Sequence, residues 1–191
     1  LELFCNTIIE RGIKKHFMAY SRADFLCENP DILPLVYKAG FRDILVGLEA
    51  ITDERLDDYN KGTSRNDNIM AIKNLHDNNL VCNALFVVSH DSTAKDFRNL
   101  LKFIKENNLL WVVFGIFTPY KGTDAYYQYE NQLVNFKSWR LDGTHITIKP
   151  KHMSSFMFMM RYYWLHVVTY PKIMVRTLFK SGYDTKKRGW F

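Results

Sequence analysis

Cysteine is scarce in this chain, and no apolar run is long. Cys5, Cys27 and Cys82 are its only thiols, far apart and odd in number. They offer neither a disulfide framework nor a zinc-site spacing, which leaves reduced cysteines in a cytoplasmic protein as the plain reading. The most apolar stretch, Met153 to Val175, is broken by Arg161, His166, Pro171 and Lys172. A membrane-spanning helix needs about 20 predominantly apolar residues, so none is expected. The start has no basic region followed by an apolar run, so no secretory leader is read there. His145, His152 and His166 lack partners at metal-ligand spacing, and no metal ligand set is expected.

What is present suits a globular core. Of 191 residues, 47% are hydrophobic and 24% charged, ordinary values for one domain. The aromatic share, 15%, is high and rises toward the C-terminus. The net charge of +6 favours anionic partners, but much of the excess sits between Lys172 and Arg188. That stretch reads as a solvated basic tail rather than a nucleic-acid or membrane surface. The chain begins at Leu1 inside a helical pattern and is expected to be part of a longer protein.

From Lys15 to Tyr129, strand and helix patterns alternate with a period of roughly 30 residues, the mark of parallel βα units. Strands are expected at Lys15 to Ala19, Arg42 to Leu48, Leu80 to Val88 and Leu109 to Phe117. Helices are expected at Leu3 to Ile13, Asp31 to Ala39, Asp53 to Tyr59, Arg65 to Asp77, Thr93 to Glu106 and Asp124 to Tyr129. Ser64 and Asn29-Pro30 supply start signals. In the 93–106 helix the buried stripe is expected to be Phe97, Leu100, Leu101 and Ile104. About four strands are too few to close an eight-stranded barrel, so the fold class is α/β, a partial (β/α) barrel. Beyond Trp139 the pattern changes to a short alternating strand, His145 to Lys149, and two aromatic helices, Met153 to Thr169 and Pro171 to Lys180. These form a C-terminal helical appendage whose aromatic face packs on the sheet layer. The domain division is 1–135 for the barrel portion and 136–191 for the extension.

The strand Asp43-Ile44-Leu45-Val46-Gly47-Leu48-Glu49 ends on a carboxylate. In parallel α/β folds the carboxyl ends of strands carry the chemistry, so Glu49 is placed where a ligand contact is expected. Lys61, after the next helix, could return to the same rim. Ser89-His90-Asp91 is no hydrolase triad, because triad members converge from separate elements. Lys61-Gly62-Thr63 and Lys121-Gly122-Thr123 lack the upstream glycine of a phosphate loop.

Several tags, in order, resemble one enzyme group. They are Arg22-Ala23-Asp24, Lys38-Ala39-Gly40, Gly47-Leu48-Glu49, Asn60-Lys61-Gly62-Thr63 and Thr118-Pro119-Tyr120-Lys121-Gly122-Thr123. Trp139 to His145 and Lys149 to Ser154 continue the match. Together they resemble the radical S-adenosylmethionine superfamily, in the cobalamin-binding branch of the anaerobic magnesium-protoporphyrin cyclase. The resemblance implies a partial barrel that binds a [4Fe-4S] cluster and S-adenosylmethionine near the strand ends. Reductive cleavage there gives a 5′-deoxyadenosyl radical that abstracts hydrogen from a small-molecule or peptide substrate. It implies that Glu49 contacts S-adenosylmethionine and that Lys61 pairs with its carboxylate. By the same pattern Val88, Ser89, Thr118 and Pro119 border the adenine, and Arg22 stands at an equivalent strand end. A zwitterionic sulfonium ligand does need an anion and a cation on one rim.

Two features depart from the pattern. The Cys-x-x-x-Cys-x-x-Cys cluster motif is absent, and the three cysteines cannot replace it by spacing. By itself this stretch is expected neither to hold the cluster nor to catalyse; the upstream barrel half and a cobalamin domain are the expected intramolecular partners. The Gly-x-Pro-Gly-Glu-Thr turn is here Ser89-His90-Asp91-Ser92-Thr93. Two other readings stay open on the residues alone: a different α/β barrel enzyme holding a phosphorylated metabolite at helix N-termini, and a basic, non-enzymatic interaction module.

Overall fold

The computed structural model describes residues 1–134 and 137–179. Helix α1 (Glu2–Glu10) precedes β1 (Phe17–Ser21), α2 (Ala23–Glu28) and α3 (Leu33–Lys38). Strand β2 (Phe41–Glu49), α4 (Asp53–Asp58), α5 (Arg65–Asp77), β3 (Val81–Val88), α6 (Ala94–Glu106) and β4 (Trp111–Ile116) follow. Helices α7 (Asp124–Tyr129) and α8 (Ser155–Phe179) complete the described helices and strands. The four strands pair in parallel in the order β1-β2-β3-β4. Right-handed crossovers between sequential parallel strands put their helices on one face, which is the geometry of a barrel segment.

Side-chain alternation follows from that arrangement. Ile44, Val46 and Leu48 of β2 and Cys82, Ala84, Phe86 and Val88 of β3 are buried on the helix side. Phe86 meets Phe103 of α6 edge-on, with ring centroids 6.0 Å apart. The opposite face is open, and Met18, Tyr20, Trp111 and Val113 are exposed on it. Helices α5 and α6 each start on a capping box, Ser64 with Asp67 and Thr93 with Asp96. Each hydroxyl cap is worth about 1 kcal/mol.

Four expectations need correction. No helix was expected directly after the first strand, but α2 follows β1 at once, with Arg22 between them at the strand end. Asp24 accepts from the Phe25 amide, and Ala23 and Leu26, one turn apart, are buried. In α6 the fourth buried residue is Phe103, while Leu101 is only partly covered. The expected strand at His145 to Lys149 is a single bridge, Leu133 with Ile148. There the adjacent Thr147 and Ile148 are both buried, which strand alternation does not allow. The two expected C-terminal helices are one continuous helix, α8. Pro171 lacks an amide donor, yet the helix runs through it because the preceding turns are anchored on the sheet. Lys180, the expected end, lies outside the described residues.

That anchor is the aromatic face of α8. Phe158, Tyr162 and Leu165 are buried. Phe158 packs edge-on against Phe97 of α6 at 5.7 Å, and the Tyr162 hydroxyl donates to the Phe114 carbonyl of β4 at 2.9 Å. The appendage therefore packs on the sheet layer by one of its faces.

Candidate functional site

Strand β2 ends irregularly. Its register with β3 shifts between Gly47 and Glu49, and Glu49 has φ +59. The Ala50 amide reaches back to the Leu48 carbonyl at 2.6 Å, closing a tight turn around Glu49. A non-glycine residue in this region costs about 1 kcal/mol or more and persists where surroundings enforce it. The enforcing group is Asn68 of α5, fully buried. Its amide donates to the Leu48 and Ala50 carbonyls, both at 3.0 Å, on either side of Glu49.

The turn aims the Glu49 carboxylate back over Gly47, where it meets Lys61 Nζ at 3.0 Å. A Cβ on Gly47 would stand 2.6 Å from Glu49 Oε1 and 3.4 Å from Lys61 Nζ, so glycine makes room for the pair. Lys61 is set by the end of α4, where its amide donates to the Leu56 carbonyl at 3.1 Å. Arg22 then donates to the Lys61 carbonyl at 3.0 Å while forking onto Asp24 at 2.7 and 3.0 Å. This bond holds the Asp24 carboxyl below its ordinary range. Arg22 thus braces the Lys61 loop.

Beside the pair opens a cleft of about 760 Å³, lined among others by Glu49, Tyr59, Lys61, Ser89, Phe117 and Tyr129. Tyr59 stacks on Phe117, with centroids 6.2 Å apart. Burial pushes its phenol up to about 12, against the opposing pull of Arg55 and Ser89. Arg55 binds both carboxylate oxygens of Asp91 at 2.7 Å. Burial of Asp91 favours its neutral form, but the bonds from Arg55 and Ser89 outweigh it and lower its pKa. A second hollow of about 330 Å³ lies behind this ion pair, lined by Thr52, Val88, Ser92, Asp96 and Phe97 among others. His90 is buried between Phe117 and Tyr129. Burial lowers its pKa, and Lys151 and Arg55 add to that against Asp91.

The structure thus brings Glu49, Lys61 and Ser89 to one cleft. Val88 turns its side chain into the helix layer and borders the second hollow. The Thr118 hydroxyl donates to the Ile116 carbonyl at 2.9 Å, and Pro119 is fully buried, so these two shape the end of β4 from within. Reasoning from sequence missed Asn68, the Arg55–Asp91 pair and Tyr59. An asparagine on the expected apolar side of the 65–77 helix was the readable signal for Asn68.

The thiols do not suit an iron–sulfur cluster. Burial raises the pKa of all three, Cys82 to about 12, whereas iron binds thiolate. The Cys27 thiol donates to the Asp67 carbonyl at 3.2 Å. Among the described residues no three His, Cys, Asp or Glu side chains converge as a metal set.

The chain has relatives among known proteins. The chain is 30% identical over 171 residues to the bacteriochlorophyllide d C-8(2)-methyltransferase of Chlorobaculum tepidum, covering 85% of this chain and 38% of that protein. It is 25% identical over 197 residues to the anaerobic magnesium-protoporphyrin IX monomethyl ester cyclase of Synechocystis sp., covering 98% of this chain and 39% of that one. The resemblance to the radical S-adenosylmethionine superfamily is borne out. In fold the chain is similar to the radical S-adenosylmethionine methyltransferase TsrM from Kitasatospora setae, solved with cobalamin and a [4Fe-4S] cluster. The TM-score is 0.50 at 14% identity, over 60% of this chain and 24% of that one. No family model matches. The chain spans about two fifths of the length of these curated relatives.

Proposed function

We propose that this chain is the S-adenosylmethionine-binding wall of a radical S-adenosylmethionine enzyme of the cobalamin-dependent branch. Residues 1–135 would form the barrel portion and 136–191 its extension. The observation that carries this reading is the Glu49–Lys61 pair at 3.0 Å over Gly47, at the strand end where the relatives' resemblance expects the cofactor. An amino-acid zwitterion can enter between them, its ammonium going to Glu49 and its carboxylate to Lys61. One ion pair is thereby exchanged for two, with no net change in buried charge. Ser89 and the stacked Tyr59–Phe117 rings border the space left for a flat, apolar-faced group such as a purine. Val88, Thr118 and Pro119 would hold the strand ends beneath it, and Arg22 would position Lys61.

Bound beside a reduced cluster, S-adenosylmethionine would supply a carbon radical for hydrogen abstraction, one electron from the cluster breaking its C–S bond and releasing methionine. This chain's own part is to hold the amino-acid end and exclude water. The cluster ligands would come from elsewhere in the protein, as would any cobalamin site. The test is S-adenosylmethionine binding to the full-length reconstituted protein by equilibrium dialysis, together with 5′-deoxyadenosine release under reduction. Glu49→Gln and Lys61→Met should each weaken binding about tenfold or more, the scale of a lost charge-assisted bond. Unchanged affinity in both variants, or no deoxyadenosine from the parent, would overturn the reading.

A further inference from the structure

Helix α8 is apolar on two opposite sides, and the sheet covers only one. Phe156, Met160, Tyr163, Val167 and Tyr170 recur at alternating spacings of four and three and are 52–71% exposed, with Trp164 beside them at 58%. At 100° per residue these six fall within an arc of about 120°, turned away from Phe158, Tyr162 and Leu165. Six large side chains together expose several hundred Å², the size at which an apolar patch on a folded protein marks an interaction surface. A helix apolar all round is normally covered all round.

Charge identifies what covers it. Residues 149–191 contain nine Lys and Arg against one acidic residue, Asp184, a net charge of +8, whereas residues 1–148 carry −2. The positive excess of the whole chain thus lies in the segment that bears the aromatic face. Ser155–Phe179 contains no acidic residue, so a second copy docking here would bring like charges together with nothing to pair them. The face is built from Phe, Met, Val, Tyr and Trp, and its Tyr and Trp side chains, apolar in body and polar at the tip, suit the boundary between headgroup and acyl chain. No helix among the described residues is long and apolar enough to cross a membrane, but a helix of this kind can lie in the interface plane.

We infer that α8 seats its Phe156–Tyr170 face on an anionic lipid surface, with the positive charge of its own stretch, Lys149 to Arg176 without an acidic residue, supplying the electrostatic attraction. The protein docks by this helix, on the far side of α8 from β4.

The test is co-sedimentation of the full-length protein with vesicles of phosphatidylcholine alone and of phosphatidylcholine mixed with phosphatidylglycerol. Binding is expected to the mixed vesicles, weakening as salt rises. Trp164→Ser and Val167→Ser, both at exposed positions, should each keep the parent's circular dichroism. The tryptophan change should weaken vesicle binding about tenfold and the valine change several-fold. Absence of sedimentation with anionic vesicles at low salt would overturn the inference, as would binding unchanged in both variants. A concentration-dependent dimer abolished by Trp164→Ser in sedimentation velocity would overturn it in favour of a second copy.

Discussion

Lys61 Nζ and Glu49 Oε1, 3.0 Å apart, occupy the space that a side chain on residue 47 would fill. Gly47→Ala therefore strikes the pair rather than the fold. The new methyl would press on the flexible ends of two long side chains, which can swing away. Unfolding free energy should change by less than about 1 kcal/mol, while S-adenosylmethionine affinity of the full-length protein falls about tenfold. Urea unfolding and equilibrium dialysis on the same preparation separate the two; a large stability loss with unchanged affinity would contradict this account.

Glu49 itself invites an inverted stability order. In a strand, alanine is normally better than glycine because glycine loses more freedom on folding. At φ +59 the order should reverse, with Glu49→Gly more stable than Glu49→Ala by about 1 kcal/mol. Neither variant should bind S-adenosylmethionine with parental affinity. Thermal unfolding of the two variants side by side decides it, and an alanine variant at least as stable as the glycine one would count against strain at this residue.

The sheet was legible because its strands are continuous apolar runs between capped helices, and parallel strands buried by helices leave that mark. The Glu49–Lys61 pairing was legible as chemistry, one acid and one base returning to one rim. Its support was not. Asn68 acts through two carbonyls 18 and 20 residues earlier, and Arg55 finds Asp91 across 36 residues. Such partners are fixed by the crossover geometry, which local patterns do not encode. The strand expected at His145 to Lys149 failed for a related reason. Alternation proposes a ladder, but a ladder also needs a free edge in register, and among the described residues this segment finds one bridge only.

Asn68 gives the largest expected stability effect. Its amide serves two carbonyls at the tightest turn of the fold, and it is fully buried. Asn68→Ala removes both donors and leaves both acceptors without their partner, at a cost of about 2–4 kcal/mol. The expected result is a clear drop in the urea midpoint together with loss of S-adenosylmethionine binding, since nothing then holds Glu49 in its turn. A midpoint within about 0.5 kcal/mol of the parent would show that the turn stands without it.

One buried and one half-buried histidine set a pH dependence. Burial lowers the pKa of His90, reinforced by Lys151 and Arg55 and opposed by Asp91, and burial alone lowers that of His166. In the unfolded chain both return to about 6.5. Between the depressed folded values and about 6.5 the unfolded state binds more protons, so stability rises with pH there. It is full above about 6.5 and declines as pH falls toward the folded values. The Asp91 carboxyl, also held low, adds a loss of the same sign only below about 4, the unfolded aspartate value, so the windows are distinct. Urea unfolding at about pH 7.5 and about pH 5.5 should show the parent losing stability. The His90→Gln, His166→Gln double variant should lose less over the same interval. An identical loss in both proteins would assign the pH dependence to other groups.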